Sequence, residues 1–114
     1  MLIGELSRRT GVGARLLRYY EAQGLLDARR GANGYRDYDE AAVLVVRQVR
    51  ALLLAGLSTE VIRSVLPCVR GERPEFDWCA DLRAVMDREL EATDQRIDAL
   101  RRNRSALAGY LAQP

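Results

Sequence analysis

Apolar side chains recur at helical spacing in two short segments at the start of the chain. The first pattern predicts an amphipathic helix over about residues 3–10, and Gly11-Val12-Gly13 ends it. The second predicts a helix over about residues 14–23, with Leu17 and Tyr20 directed inward. Two short helices joined by a glycine-containing turn are typical of a helix-turn-helix.

A tight-turn signal follows these helices. Leu25-Leu26 begins a segment expected to be extended, and Asn33-Gly34 favours a hairpin turn because both residues tolerate positive φ. Tyr35-Arg36-Asp37-Tyr38 then alternates along a returning strand. Such a two-stranded wing is too small to be stable alone, so we expect it to pack against the helices.

Two further helices and a connection complete the first part of the chain. Asp39 is a good N-cap for a helix through about Ala55, and Ser58 caps another through about Leu66. Glycine, proline and charged residues then predominate over residues 67–77, which predicts a connecting loop. We therefore expect a winged helix-turn-helix domain over residues 1–66, followed by this loop.

A long heptad pattern occupies residues 78–114. Its helix would be roughly 50 Å long at about 1.5 Å per residue. The inward positions alternate in steps of four and three residues, and we call them the seam: Met86, Leu90, Thr93, Ile97, Leu100, Arg104, Leu107 and Leu111. A helix with such a stripe needs a partner, and we favour self-association over folding back on the first domain. The predicted fold is mainly α with a small β wing and a long C-terminal dimerisation helix.

Charge and composition narrow the class of protein. The 114 residues carry 18 basic and 16 acidic side chains, and every basic residue is arginine, which indicates a bacterial genome rich in G and C. Residues 1–36 hold seven arginines and three acids, so the positive charge lies in the helix-turn-helix region. No apolar run or signal-peptide pattern directs the chain to a membrane, so we expect a cytoplasmic protein. Without histidine or a phosphate-binding glycine motif, it is not expected to be an enzyme or to need a cofactor.

Six motifs follow one another along the chain: Ile3-Gly4-Glu5-Leu6, Thr10-Gly11-Val12, Leu17-Arg18-Tyr19-Tyr20-Glu21, Gly24-Leu25-Leu26, Gly34-Tyr35-Arg36-Asp37-Tyr38 and Leu57-Ser58-Thr59-Glu60-Val61-Ile62. They give the chain a resemblance to the MerR family of bacterial transcription regulators. It implies a winged helix-turn-helix and a homodimer joined by antiparallel pairing of the long helices. It also implies an inverted-repeat operator in a promoter spacer, and distortion of that DNA so that RNA polymerase reads both promoter elements.

The resemblance also implies which residues bind DNA: Arg18, Tyr19 and Tyr20 on the second helix, and Arg36 and Tyr38 on the wing. Arg15, on an outward face of the same helix, is a further DNA-binding candidate. Guanidinium groups pair with phosphate and phenol hydroxyls donate to it. A place in the core is an equal alternative for Tyr20 and Tyr35. The chain departs from the family at Gly13 and Leu16, where hydroxyl residues are common.

Cys68 and Cys79 leave three alternatives open: structural thiols, a thiol or redox switch, or metal ligands. Cys79 resembles a ligand position of metal-sensing members, but those members carry a further cysteine-bearing loop that is not seen after Leu111. The two cysteines also lack a spacing such as C-x-x-C, so we expect no metal site and favour structural thiols. An architectural, excisionase-like DNA-bending protein is the other alternative, and the long heptad helix counts against it.

Overall fold

The computed structural model describes all 114 residues and divides into two compact units, Met1–Asp77 and Trp78–Pro114. We call the first unit the head. Its elements are α1 (Ile3–Thr10), α2 (Ala14–Ala22), β1 (Arg29–Arg30), β2 (Arg36–Asp37), α3 (Ala41–Leu54), α4 (Thr59–Val65), a 3-10 turn (Leu66–Cys68), β3 (Val69–Arg70) and β4 (Glu75–Phe76). The second unit is one helix, α5 (Ala80–Leu111). The predicted fold class, mainly α with a small β wing and a long C-terminal helix, is confirmed.

The helix-turn-helix forms where the apolar spacing predicts it. Gly11 ends α1 in the left-handed conformation, with φ of 73°, and its N–H donates to the carbonyl of Ser7. Gly13 is the extended residue before α2 and contributes no side-chain cap. Leu17 and Tyr20 point inward from α2 and are almost fully buried. Burial of these two side chains fixes which face of α2 remains exposed.

The core of the head lies between its four helices. One side of α3 supplies much of it, because apolar residues recur at helical spacing along that helix. The side chains exposed by less than 2% are Tyr20, Tyr38, Leu6, Leu17, Ile62, Val46, Val49 and Val65. Such side chains each contribute about 1.5–3 kcal/mol by leaving water.

The wing comprises β1, β2 and the turn between them. The strands are antiparallel, with Arg29 opposite Asp37 and Arg30 opposite Arg36. Gly34 has φ of 81°, as the Asn-Gly signal predicts. Leu25 and Leu26 are buried beside a turn and do not begin the strand, which starts only at Arg29. The backbone N–H of Tyr38 donates to the carbonyl of Met1 at 2.7 Å and so ties the wing to the start of the chain.

The two predicted helix caps have different outcomes. Ser58 caps α4 as expected, with its hydroxyl oxygen accepting from the N–H of Val61 at 3.2 Å. Asp39 does not cap α3, because the helix begins at Ala41 and has no side-chain cap. The carbonyl of Asp39 instead accepts from the N–H of Ala42 at 3.1 Å.

The segment predicted as a connecting loop is a β-hairpin in the head. Val69 pairs with Phe76 and Arg70 with Glu75, and Gly71 adopts positive φ in the turn. The buried amide of Gln48 donates to the carbonyl of Gly71 at 3.2 Å and secures the hairpin to α3. Strands of two residues, rich in charge, carry no alternation that the sequence would reveal.

The second unit, α5, is one uninterrupted helix of 32 residues. It begins at Ala80, after Cys79, whose sulfur accepts from the N–H of Leu82 at 3.4 Å. The Arg83 guanidinium lies 4.6 Å from the centre of the Trp78 ring. Along the rest of the helix the seam leucines are exposed, at 62% for Leu90 and 66% for Leu100. No helix in either unit is both long and apolar enough to cross a membrane.

Candidate nucleic-acid interface

The exposed face of α2 carries two of the predicted contact cations. Arg15 and Arg18 are exposed and form no ion pair, and the neighbouring Tyr19 is 47% exposed. The buried Leu17 and Tyr20 hold the opposite face of the helix against the core. The structure therefore presents Arg15, Arg18 and Tyr19 together on one solvent-facing surface.

A groove of about 700 Å³ brings arginines from three elements together. Arg8 reaches it from α1, Arg18 from α2 and Arg36 from the wing. Its other lining residues are Leu2, Ile3, Gly4, Glu5, Gly34 and Tyr35. Three guanidinium groups around one open groove favour binding of an anionic backbone. Sequence reasoning missed Arg8, although its place in the last turn of an amphipathic helix is visible in the sequence.

Glu21 connects α2 to the wing. One of its carboxylate oxygens accepts from Nε of Arg36 at 2.6 Å, and the other accepts from the Tyr38 hydroxyl at 2.9 Å. The Glu21 side chain is 20% exposed, and that of Arg36 is 51% exposed. We call Glu21, Arg36 and Tyr38 together the Glu21 bridge. The sequence showed Glu21 only as part of a motif, because its partners lie 15 and 17 residues further along the chain.

Two groups in the bridge have perturbed pKa values. Burial, followed by the hydrogen bond to Glu21, raises the pKa of Tyr38 from 10.0 to about 12. The hydrogen bond to Glu21 likewise raises the pKa of Arg36. At neutral pH the phenol is therefore protonated and donates its hydrogen to the carboxylate, while Arg36 stays cationic.

Burial corrects two of the expected DNA contacts. Tyr20 and Tyr38 are each only 1% exposed, so neither side chain is available to a DNA backbone in this structure. Tyr20 is a core residue of α2, which is the alternative that the sequence left open for it. The hydroxyl of Tyr38 donates to Glu21. Tyr35, for which the core was an alternative, is 66% exposed on the wing. The helix period explains Tyr20, since it lies three residues after the buried Leu17.

Other arginines of the head are engaged in structural ion pairs. Arg9 forms a two-point pair with Glu40, with both N–O distances 2.7 Å, and Glu40 raises the pKa of Arg9. Arg47 pairs with Glu72 and also donates to the carbonyl of Arg9 at 3.2 Å. These contacts join α1, α3 and the hairpin, so these arginines serve the fold.

The two cysteines are free thiols, Cys68 partly buried and Cys79 exposed. No group of three or more His, Cys, Asp or Glu side chains is placed to hold a metal ion.

Comparison with known proteins identifies the head. Residues 1–67 match the family model described as the MerR HTH family regulatory protein. The chain belongs to the MerR family. The regulator HmrR of Rhizobium leguminosarum is 35% identical over 107 residues, which cover 94% of this chain and 81% of that protein. The heavy metal-dependent transcription regulator 2 of Rhizobium meliloti is 33% identical over 114 residues, covering 96% and 76%.

Solved structures of MerR-type regulators share this fold. PbrR691 of Ralstonia metallidurans, in complex with lead(II), superposes with a TM-score of 0.79 at 27% identity over 96% of this chain and 83% of that one. HiNmlR, a regulator lacking the sensor domain and bound to promoter DNA, has a TM-score of 0.57 at 20% identity, covering 97% and 86%. The second likeness concerns the fold alone. This MerR-family chain is a DNA-binding transcription regulator with a winged helix-turn-helix head.

Proposed function

We propose that two copies of this regulator bind an inverted-repeat operator in a promoter spacer and distort the DNA so that RNA polymerase reads both promoter elements. The observation that carries the proposal is the groove where Arg8, Arg18 and Arg36 converge from three elements. The protein would act in the cytoplasm, as a regulator and not as an enzyme.

The exposed face of α2 suits the major groove, and the wing suits the adjacent backbone. A recognition helix presents its outer side chains to base edges and phosphates while its inner side chains hold it on the head. In this assignment Arg15, Arg18 and Tyr19 contact the DNA from α2. Arg36 reaches a flanking phosphate from β2, since half of its side chain remains exposed beside Glu21.

Exposure of the seam supports a homodimer. Leu90, Leu100 and Leu107 are each more than 60% exposed, and Ile97 is 41% exposed. Exposure of such a row of large apolar side chains to water is unfavourable, and pairing with a second helix buries them. The seam residues assigned to the dimer are Met86, Leu90, Thr93, Ile97, Leu100, Leu107 and Leu111.

Charge along α5 favours antiparallel pairing. Residues 80–98 carry six acidic side chains and three arginines, whereas residues 99–111 carry three arginines and no acid. An antiparallel partner places the acidic half of one helix beside the basic half of the other, which is electrostatically favourable. Parallel pairing would place like charges side by side.

Salt dependence of operator binding tests the DNA contacts. We expect Arg18→Ala and Arg36→Ala each to weaken binding across many sequences. Each lost phosphate contact lowers the slope of log K against log salt by about 0.9, and a dimer loses two such contacts. Arg73→Ala is the matched control, because Arg73 is exposed in the hairpin turn away from the groove. Unchanged slopes for both head variants in titrations at several salt concentrations would contradict the assignment.

A further inference from the structure

Two polar residues interrupt the apolar seam of α5. Thr93 is half-buried, with its hydroxyl donating to the carbonyl of Glu89 at 2.9 Å and accepting from Arg96 at 3.0 Å. Arg104 is exposed and forms no ion pair. In a heptad helix, a polar residue at an inward position specifies register at some expense of stability. The positions of Thr93 and Arg104 therefore bear on how a second copy would align.

Only one antiparallel alignment gives all eight seam residues a partner in which apolar side chains face apolar ones and the two polar side chains face each other. In antiparallel coiled coils each inward a position faces a d position of the partner. With a two-fold axis between Asp98 and Ala99, three kinds of layer, each occurring twice, are wholly apolar: Met86 with the partner's Leu111, Leu90 with the partner's Leu107, and Ile97 with the partner's Leu100. The remaining layer places Thr93 opposite the partner's Arg104, twice by symmetry.

The flanking charges favour the same alignment. Asp94 and Arg101 each directly follow an inward residue, Thr93 and Leu100, and so flank the seam at the heptad e positions. The alignment places Asp94 beside the partner's Arg101, and the two-fold axis repeats this pair. A shift of one heptad in one direction puts Asp94 beside the partner's Asp94 and Arg96 beside the partner's Arg96. A shift in the other direction puts Arg101 beside the partner's Arg101 and Leu100 opposite the partner's Arg104. Like charges at these positions are destabilising, so both shifts are disfavoured.

We propose that the second copy docks on α5 in this register, and that the Thr93–Arg104 layer selects it. The proposal rests on the homodimer proposed above. The aliphatic part of Arg104 packs beside the short Thr93 side chain of the partner, and its guanidinium extends to the edge, where the partner's Asp94 follows Thr93. A large apolar side chain in place of Thr93 would block that exit, so the layer also discriminates against other helices.

Exchange of the two polar residues tests the layer. T93R places two arginines opposite each other and should weaken dimerisation about tenfold or more, measured by sedimentation equilibrium at several protein concentrations. R104T should dimerise at least as well as the wild type, and the double variant T93R/R104T should recover dimerisation. T93R mixed with R104T should form the heterodimer, because each layer then again pairs one arginine with one threonine. Absence of both kinds of rescue would overturn the proposal.

Cross-linking measures the register directly, in a background with Cys68→Ser and Cys79→Ser. Chains carrying L90C and L107C, with different tags, should form a disulfide with each other. L90C should not cross-link to itself, since the two equivalent sites lie about 25 Å apart along the axis at about 1.5 Å per residue.

The outcomes separate the register from the dimer. A wild-type chain that sediments as a monomer at micromolar concentration would overturn both proposals. A dimer in which L90C cross-links to itself, and not to L107C, would overturn the register and leave the homodimer standing.

Discussion

Replacement of Glu21 by alanine should destabilise the head and loosen the wing. The Glu21 carboxylate is the acceptor for the Tyr38 hydroxyl at 2.9 Å and for Nε of Arg36 at 2.6 Å. In E21A the Tyr38 hydroxyl would lose this acceptor. Because Tyr38 is only 1% exposed, water has little access to take the place of the carboxylate. The same substitution also releases Arg36, the wing's contribution to the groove.

The magnitude follows from the burial of each partner. A buried hydroxyl left without an acceptor costs about 1–3 kcal/mol. The ion pair with the half-exposed Arg36 adds only about 0–1 kcal/mol, because solvent screens it. We therefore expect E21A to lower the free energy of unfolding by about 2 kcal/mol. E21Q keeps an acceptor oxygen for Tyr38 and should cost about 1 kcal/mol or less.

A double-mutant cycle isolates the hydrogen bond. Wild type, E21A, Y38F and E21A/Y38F would be unfolded in urea at one fixed chain concentration, because dimerisation makes stability depend on concentration. If the bond holds the wing, E21A should cost about 1 kcal/mol less in the Y38F background than in the wild type. Strict additivity of the two substitutions would refute the reasoning.

Three further outcomes are expected. Tyr38, with its pKa raised to about 12, keeps its proton in the folded state after the unfolded chain has lost it; its stabilisation is therefore complete below about pH 10 and is lost as the pH rises toward 12. Y38F should flatten this alkaline loss in urea titrations, whereas Y35F, at the 66% exposed Tyr35, should not. I97D/L100D should sediment as a monomer and lose tight operator binding, and an intact dimer would contradict the seam. C68S/C79S should bind the operator nearly as well as the wild type. A reporter promoter that responds to oxidant or metal with the wild type, but not with C68S/C79S, would instead show that the thiols act as a switch.

The sequence predicted those elements whose own residues carry a period or a turn signal. Helices α1, α2, α3 and α5 follow from apolar spacing, α4 follows from its Ser58 cap, and the wing follows from Asn33-Gly34. The hairpin over residues 69–76 could not be predicted, because its strands have two residues each and it is secured by Gln48, which is distant in sequence. Asp39 was assigned as a cap from residue type alone, and the backbone before α3 is already helical at Glu40.

The candidate site was predictable in part for the same physical reason. Exposed arginines on a short helix can be inferred from the period that buries Leu17. The same period directs Tyr20 inward, as predicted, although the family resemblance also named Tyr20 as a DNA contact. The roles of Glu21, Arg8 and Tyr38 depend on contacts between elements, which no local pattern encodes. Their positions emerge only when the wing folds against α2.

Arg36 participates both in the Glu21 bridge and in the groove, and this double use determines which contact can hold the wing during DNA binding. A phosphate that binds Arg36 competes with Glu21 for the same guanidinium. The hydrogen bond from Tyr38 to Glu21 is not exposed to that competition, because Tyr38 is buried. The wing can therefore exchange its arginine from carboxylate to phosphate while Tyr38 maintains its position. It follows that Arg36→Ala should reduce DNA affinity more than head stability. Glu21→Ala frees Arg36 from its competitor, but it also removes the acceptor of the buried Tyr38 hydroxyl; because the loosened wing no longer holds Arg36 in place, this substitution should reduce both stability and DNA affinity.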